Sequence, residues 1–439
     1  MNKTVEKGKT LLVDGPASVT VVSGKAKVFG LTLGSDRKVV VREGKRLPFA
    51  VEEATTFDVS LGEGAGMDEV DGDTVPVSWA KAYEELSSIQ TKPVTVLVVG
   101  TVDSGKTSFC TFLINKLASE KRRVAVLDGD LGQSDVGPPC TVAYTFVTRP
   151  LTDLFSLEAK NAFFVGLTSP TPAIYKVVEG LASLRSEILT QNPDVVIINT
   201  DGWVEGEEAV NYKIQLIENL NPDIVFCIKQ GEELTPMVNA LQRFRTVIVE
   251  SPSAIRQRSR EKRKNLRELG YMKYLKNAKI QSILLGWVKI EEDTPISLSK
   301  NHMSLRQSSR IYELLGMKPL HLAEMPDKIC LVIGRDRWIS PEGVKKVEEF
   351  TRKRVEIIWK GEEEGLLTAL YDSERKFLGI GVLREIHYRR KTVNIFTPVS
   401  KGISIISIGK VKLGKDLKEV PTLLTPENQQ NPLTLNKLG

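Results

Sequence analysis

The sequence is poor in the residues that announce thiol or metal chemistry. Its four cysteines, Cys110, Cys140, Cys227 and Cys330, lie far apart with no C-x-x-C pair. This excludes a zinc module or a disulfide framework and fits a reducing compartment. Only three histidines occur, His302, His321 and His387, none beside a second ligand at metal spacing, so His-based triads and metal clusters recede. No apolar run approaches the ~18 residues of a membrane span, and the start, MNKTVEKGKT, lacks an apolar core. No membrane association is expected, and the cytoplasm is the expected location. A large charge of one sign is missing too: 61 Lys and Arg stand against 55 Asp and Glu, a formal +6 over 439 residues. That excess identifies a nucleic-acid binder only if it is concentrated somewhere.

What is present is a folded chain, 41% hydrophobic, long enough for two to four domains at about 100–200 residues each. Residues 1–78 are rich in Val, Thr and Gly, in short alternating runs broken by Asp-Gly and Ser-Gly, and read as an N-terminal β domain of hairpins without a reactive constellation. The stretch VSWAKAYEELSSIQTKP reads as an amphipathic helix ending before Pro93. Within residues 79–288, apolar strands at 94–100, 123–129, 162–167, 194–200, 223–229 and 245–250 alternate with helical patterns. That alternation predicts an α/β fold on a mainly parallel sheet, and the phosphate-loop motif it contains makes that core a P-loop NTPase core. Residues 289–439 return to short strands and turns and read as a C-terminal β-rich domain, a small barrel or sandwich, with an extended tail.

Gly100-Thr101-Val102-Asp103-Ser104-Gly105-Lys106-Thr107, followed by Ser108, fits G-x-x-x-x-G-K-[ST] between a buried strand and a helix. The glycines let backbone N–H groups curl around phosphates, the helix N-terminus adds positive dipole, Lys106 reaches the β and γ oxygens, and Thr107 can ligate Mg²⁺. The next strand runs into Asp128, Asp130 and Asp135, and a rival carboxylate, Asp201, closes the strand before Gly202 and Trp203. A carboxylate at such a strand end can hold a metal-bound water or deprotonate an attacking hydroxyl; spacing alone leaves open which one faces the γ-phosphate. Trp203 offers a face for stacking on a base, or covers the sheet edge.

Residues 251–279 carry ten of the basic residues and two acidic ones, about +8, so the rest of the chain sums to −2. Leu266, Leu269, Met272 and Leu275 give the segment an apolar seam. Arg256, Arg260, Arg263 and Arg267, spaced by four, three and four, share one helical face. Guanidinium groups clustered in this way repel one another unless an anion is brought to them, which reads as a lid closing over nucleotide phosphates; a passive basic helix is the alternative.

Taken together, GTVDSGKTS, DGDLGQSDVGPP, NTDGW, the arginine segment, the N-terminal LLVDGPASVTVVSGKAKVFG and the C-terminal GLLTALYDSERKFLGIGVL resemble the polynucleotide 5′-hydroxyl kinases that include the RNA kinases of the Clp1 and Grc3 type, over most of the chain. The resemblance implies an enzyme that transfers the γ-phosphate of ATP, with Mg²⁺, to the 5′-hydroxyl of RNA or DNA in RNA processing or repair. It puts the general base on Asp130, which with Thr107 would hold the metal, and the phosphate role on Lys106. The lid arginines fall on Arg258, Arg263 and Arg267, unlike the face inferred from spacing. Trp203 would stack on the terminal base, and Gln133, Thr168 and Arg267 would contact substrate, although Pro172 and Ala173 depart from the polar substrate-gripping pattern. The strand end Ile228-Lys229-Gln230-Gly231 lacks the guanine-selective N-K-x-D, which favours ATP and leaves GTP open. RNA-processing proteins are the protein partners implied. Two alternatives stand beside the kinase: a nucleotide-binding scaffold without turnover, and a P-loop ATPase or GTPase whose acceptor is water.

Overall fold

The computed structural model describes residues 1–291 and 303–421; His302 and the expected extended tail from 422 onward lie outside the described residues. The chain divides into two compact units, Met1–Gly270 and Tyr271–Gly439.

In the first unit, the expected parallel sheet is present. In chain order its strands are β1 Val94–Gly100, β2 Val124–Asp128, β3 Thr141–Val147, β4 Asn161–Phe164, β5 Val195–Asn199, β6 Ile224–Lys229 and β7 Thr246–Glu250, and across the sheet they run β4-β3-β2-β5-β1-β6-β7. β2, β5, β1, β6 and β7 are parallel neighbours, while β3 lies antiparallel to both β2 and β4. β3 is an addition to the sequence reading, which passed from the Gly-Pro-Pro turn directly to residue 162. Its TVAYTFV alternates β-branched and aromatic residues and is almost entirely buried.

Strands buried on both faces need helices on both sides, and these are α1 Val77–Ser87, α2 Lys106–Ser119, α3 Ile174–Leu189, α4 Glu207–Leu220 and α5 Thr235–Ala240; α6 Arg260–Tyr274 follows β7. The register fixes the site. Asp128 pairs with Asn199, Val98 with Asn199 and Gly100 with Ile228, so the loops after β1, β2, β5 and β6 all leave one edge. Ligands occupy the crevice at such carboxyl ends.

The N-terminal β region forms a four-stranded and a five-stranded antiparallel sheet. It is joined to the core through α1, whose Trp79 is fully buried against Phe29, Phe109 and Phe112 and donates its indole N–H to the Glu250 carbonyl at 2.9 Å.

The second unit differs from the barrel or sandwich expected of it. Its main sheet is an open path of strands running Lys279–Leu284, Thr392–Thr397, Phe377–His387, Leu366–Tyr371, Ile405–Leu413 and Lys289–Glu291. A separate three-stranded sheet, His321–Glu324, Lys328–Ile333 and Arg354–Trp359, packs with helices Leu305–Leu315 and Pro341–Thr351 around Ile311, Leu331 and Val347. Among the described residues no helix is long and apolar enough to cross a membrane.

Candidate active site

The phosphate loop bridges β1 and α2 as its spacing predicts. Gly105 caps α2 in the left-handed region at φ 95°, and Asp103 is left-handed at φ 57°. Lys106 is buried at the first turn of the helix, and its ammonium folds back on the loop, donating to the carbonyls of Gly100 at 2.9 Å and Thr101 at 2.7 Å. Burial lowers its pKa to about 8, against the pull of Asp130, Asp201 and Asp103. Val102, Asp103, Ser104, Gly105, Lys106, Thr107 and Ser108 line a cavity of about 480 Å³, which Asp130, Gln133, Arg258 and Arg267 also border.

The three aspartates after β2 have three separate surroundings. Asp128, fully buried at the strand end, takes hydrogen bonds from the amides of Asp130, Asp135 and Val136, from Ser134 Oγ and from Asn199 Nδ2, and so shapes the following loop from within. Burial, aided by Asp130 and Asp135, pushes it up to about 7. Asp135 forms ion pairs with Arg42 and Lys45 of the N-terminal region, and these cations hold it below the usual carboxylate range despite burial. Asp130 alone of the three borders the cavity without being committed to a cation pair. Its Oδ1 accepts from the amides of Gly132 at 3.0 Å and Gln133 at 2.9 Å. Burial raises its pKa, and Asp201 adds to the rise, while Lys106 opposes it.

The rival Asp201 is consumed by structure. Its Oδ2 meets Lys213 Nζ at 2.9 Å and the Tyr212 hydroxyl at 2.8 Å, both on α4, and its Oδ1 accepts from the Trp203 amide. Trp203 stacks on Tyr212, with ring centroids 5.6 Å apart and an interplanar angle of 26°, and remains half-buried at the core edge. Neither Trp203 nor Thr168 lines the cavity. Both belong to turns that support it. The Thr168 carbonyl packs against Gly132, where a Cβ would come within 2.9 Å, and a Cβ on Gly202 would meet Val102 Cγ2 at 2.5 Å and the Val102 amide nitrogen at 2.7 Å. Gly202 is therefore the seat on which the phosphate loop rests. Gly202→Val should force that loop outward, lowering stability by about 1–3 kcal/mol and weakening ATP binding by about tenfold or more; thermal melts with and without ATP measure both.

The basic segment is helical only from Arg260. Residues 251–259, opened by Pro252, run in a non-helical stretch, so Arg256 does not share a helical face with Arg260, Arg263 and Arg267. Instead, Arg258 from the stretch and Arg263 from α6 converge on Asp103. Arg258 donates from its amide at 2.9 Å and from Nη1 at 3.0 Å, and Arg263 from Nη1 at 3.2 Å. Gln133 Nε2 ties α6 to the aspartate loop through the Arg263 carbonyl at 3.0 Å. Arg256, 60% exposed, pairs with Asp14.

Sequence reasoning gave the N-terminal domain no part in the site, and here the structure differs. Its loop 42–46 lies against the basic segment: Gly44 accepts from Arg258 Nε at 3.1 Å, and a Cβ on Gly44 would strike Leu266 of α6 at 2.8 Å. Arg42, Lys45 and Arg46 line the same cavity. These contacts join residues more than 200 positions apart, and nothing in local spacing signals them.

Among the described residues, no group of three or more His, Cys, Asp or Glu gathers to hold a metal. Thr107 and Asp130, both lining the cavity, carry a hydroxyl and a carboxylate, hard oxygen donors that suit a Mg²⁺ sharing its remaining sites with phosphate oxygens and water.

Comparison with known proteins agrees with this geometry. Residues 100–277 match the family described as mRNA cleavage and polyadenylation factor CLP1 P-loop, and nucleotide binding follows. The chain is 28% identical over 352 residues to a polyribonucleotide 5′-hydroxyl-kinase of Pyrococcus abyssi, across 80% of this chain and 96% of the relative. It is 27% identical over 359 residues to one of Methanocaldococcus jannaschii, covering 78% and 93%. With the polyribonucleotide 5′-hydroxyl-kinase Clp1 of Xenopus laevis it shares 27% identity over 277 residues, 59% of this chain and 62% of that one. The solved structure of wild-type Clp1p with Pcf11p has the same fold, at TM-score 0.65 and 13% identity, covering 94% and 97% of the two chains.

Proposed function

We propose, on the premise that residues 100–277 belong to the CLP1 P-loop family, that the protein is an ATP-dependent polynucleotide 5′-hydroxyl kinase acting on RNA. The observation that carries this reading is that Lys106, Asp130, Arg258 and Arg267 border a single cavity above the phosphate loop.

The loop Gly100–Ser108 cradles the triphosphate with its amides, and Lys106 exchanges the Gly100 and Thr101 carbonyls for phosphate oxygens. Thr107 and Asp130 are the residues that would hold Mg²⁺, whose chemistry is to neutralise charge on the phosphates. Asp130 accepts the proton of the 5′-hydroxyl as the 5′-oxygen bonds to the γ-phosphorus; the bond from that phosphorus to the β,γ-bridging oxygen breaks, and ADP departs with the bond's electron pair. Arg258 and Arg263 stabilise the charge on the transferred group. Trp203, backed by Tyr212, presents an indole for the terminal base, while Gln133, Thr168 and Arg267 orient the strand. ATP is the favoured nucleotide, since the strand end at 228–231 lacks N-K-x-D, and RNA the favoured acceptor; RNA-processing proteins are the partners and the cytoplasm the location that this reading implies.

Incubation of the protein with γ-labelled ATP, Mg²⁺ and 5′-hydroxyl RNA or DNA oligonucleotides tests this. Label on the oligonucleotide is expected, with oligonucleotide affinity falling as salt rises. Label released only as phosphate would identify a water-using ATPase, and no turnover at all a nucleotide-binding scaffold.

A further inference from the structure

Asp103 occupies the turn of the phosphate loop, and its carboxylate collects two of the lid's guanidinium groups. Its side chain is 5% exposed, against 26% for Arg258 and 28% for Arg263, so these pairs are shielded from the solvent and salt that weaken surface ion pairs. Arg258 is fixed at three points, two on Asp103 and one on the Gly44 carbonyl. Arg263 is fixed by Asp103 at its tip and by Gln133 at its backbone. Two cations on one anion leave a net positive cluster beside the loop that receives phosphate. Such a cluster attracts the triphosphate and holds its donors in place beforehand.

We propose that Asp103 is a positioning residue: its carboxylate sets where Arg258 and Arg263 stand over the phosphate loop, and it acts on phosphoryl transfer through them. This rests on the kinase reading above for its kinetic consequence, though not for its structural one. Removing the charge should not weaken ATP binding, because a carboxylate beside a triphosphate repels it; the loss should appear in turnover, where arginine placement matters.

The test is Asp103→Asn, which keeps shape and a carbonyl acceptor. Expected are a kcat lower by about tenfold or more, a KM for ATP unchanged or lower, and an unchanged thermal midpoint. Trypsin cleavage between residues 256 and 267 of the nucleotide-free protein should quicken several-fold, since the lid has lost its tether. Asp103→Glu should restore part of kcat. In an Arg258→Lys/Arg263→Lys background, Asp103→Asn should add less than about twofold. An unchanged kcat overturns the proposal, as does full additivity with the arginine variants or a joint loss of ATP binding and stability, which would make Asp103 a structural residue of the loop. Should the wild-type protein transfer no phosphate, the kinase reading fails, and lid cleavage alone decides for Asp103 if faster in the variant and against it if unchanged.

Discussion

Asp130→Asn should lower phosphoryl transfer to a 5′-hydroxyl oligonucleotide by about 10²–10⁴-fold, the range for a lost general base. ATP affinity should change little, because the amide keeps the loop bonds from Gly132 and Gln133 that Oδ1 now accepts. As the proposed base, the same residue should set the acid limb of the pH profile. Burial raises the Asp130 pKa above the ordinary carboxylate value, so the base is protonated, and turnover lost, at a higher pH than for a solvated aspartate. As pH rises through that shifted pKa, kcat/KM should climb and level off, and the limb should vanish in Asp130→Asn. Single-turnover measurements from acid to neutral pH check this; an asparagine variant that retains the wild-type rate removes Asp130 from the chemistry.

Lys106→Ala should weaken ATP binding by about 30- to 1,000-fold, the effect of removing a buried charged donor worth roughly 2–4 kcal/mol to its partner, and take turnover with it. Its pH dependence gives a sharper signature. In the empty site Lys106 has a pKa of about 8; phosphate oxygens favour the ammonium and raise that value, so binding takes up a proton above pH 8. Affinity is therefore constant below about 8 and falls by up to about tenfold per pH unit above it, until the bound-state pKa is reached. Calorimetric titrations in buffers of different ionisation enthalpy measure the proton uptake. The alanine variant should show neither the uptake nor the slope.

The parts legible in the sequence were those whose chemistry is local. Gly100 to Ser108 declared itself by spacing between a strand and a helix, and the parallel sheet by alternating apolar runs. β3 escaped because a single antiparallel strand after Gly137-Pro138-Pro139 looks like continued loop. The aspartates show the limit more plainly. Asp128, Asp130 and Asp201 are equivalent by spacing, and only three-dimensional partners separate them: five residues, through backbone and side chain, satisfy Asp128, and Tyr212 and Lys213 claim Asp201. The arginine segment was legible as charge but not as shape, since a helical wheel assumes a helix running through Arg256, and the helix starts only at Arg260. The contribution of loop 42–46 could not be read at all, because its partners lie 90 or more residues away.

The anchoring of Glu250 by α1 sets a local concentration for the segment that follows it. Trp79 holds its carbonyl and Ser78 its amide, so nine residues, 251–259, separate a fixed point from the first turn of α6. A tether of that length reaches at most roughly 30 Å, which places the lid's guanidinium groups at an effective concentration on the order of millimolar at the phosphate loop. Under the proposed role the arginines would thus meet a bound nucleotide in a unimolecular step, independent of how dilute the protein is. Any insertion between Glu250 and Arg258 should dilute them there as surely as lowering the amount of a free reagent.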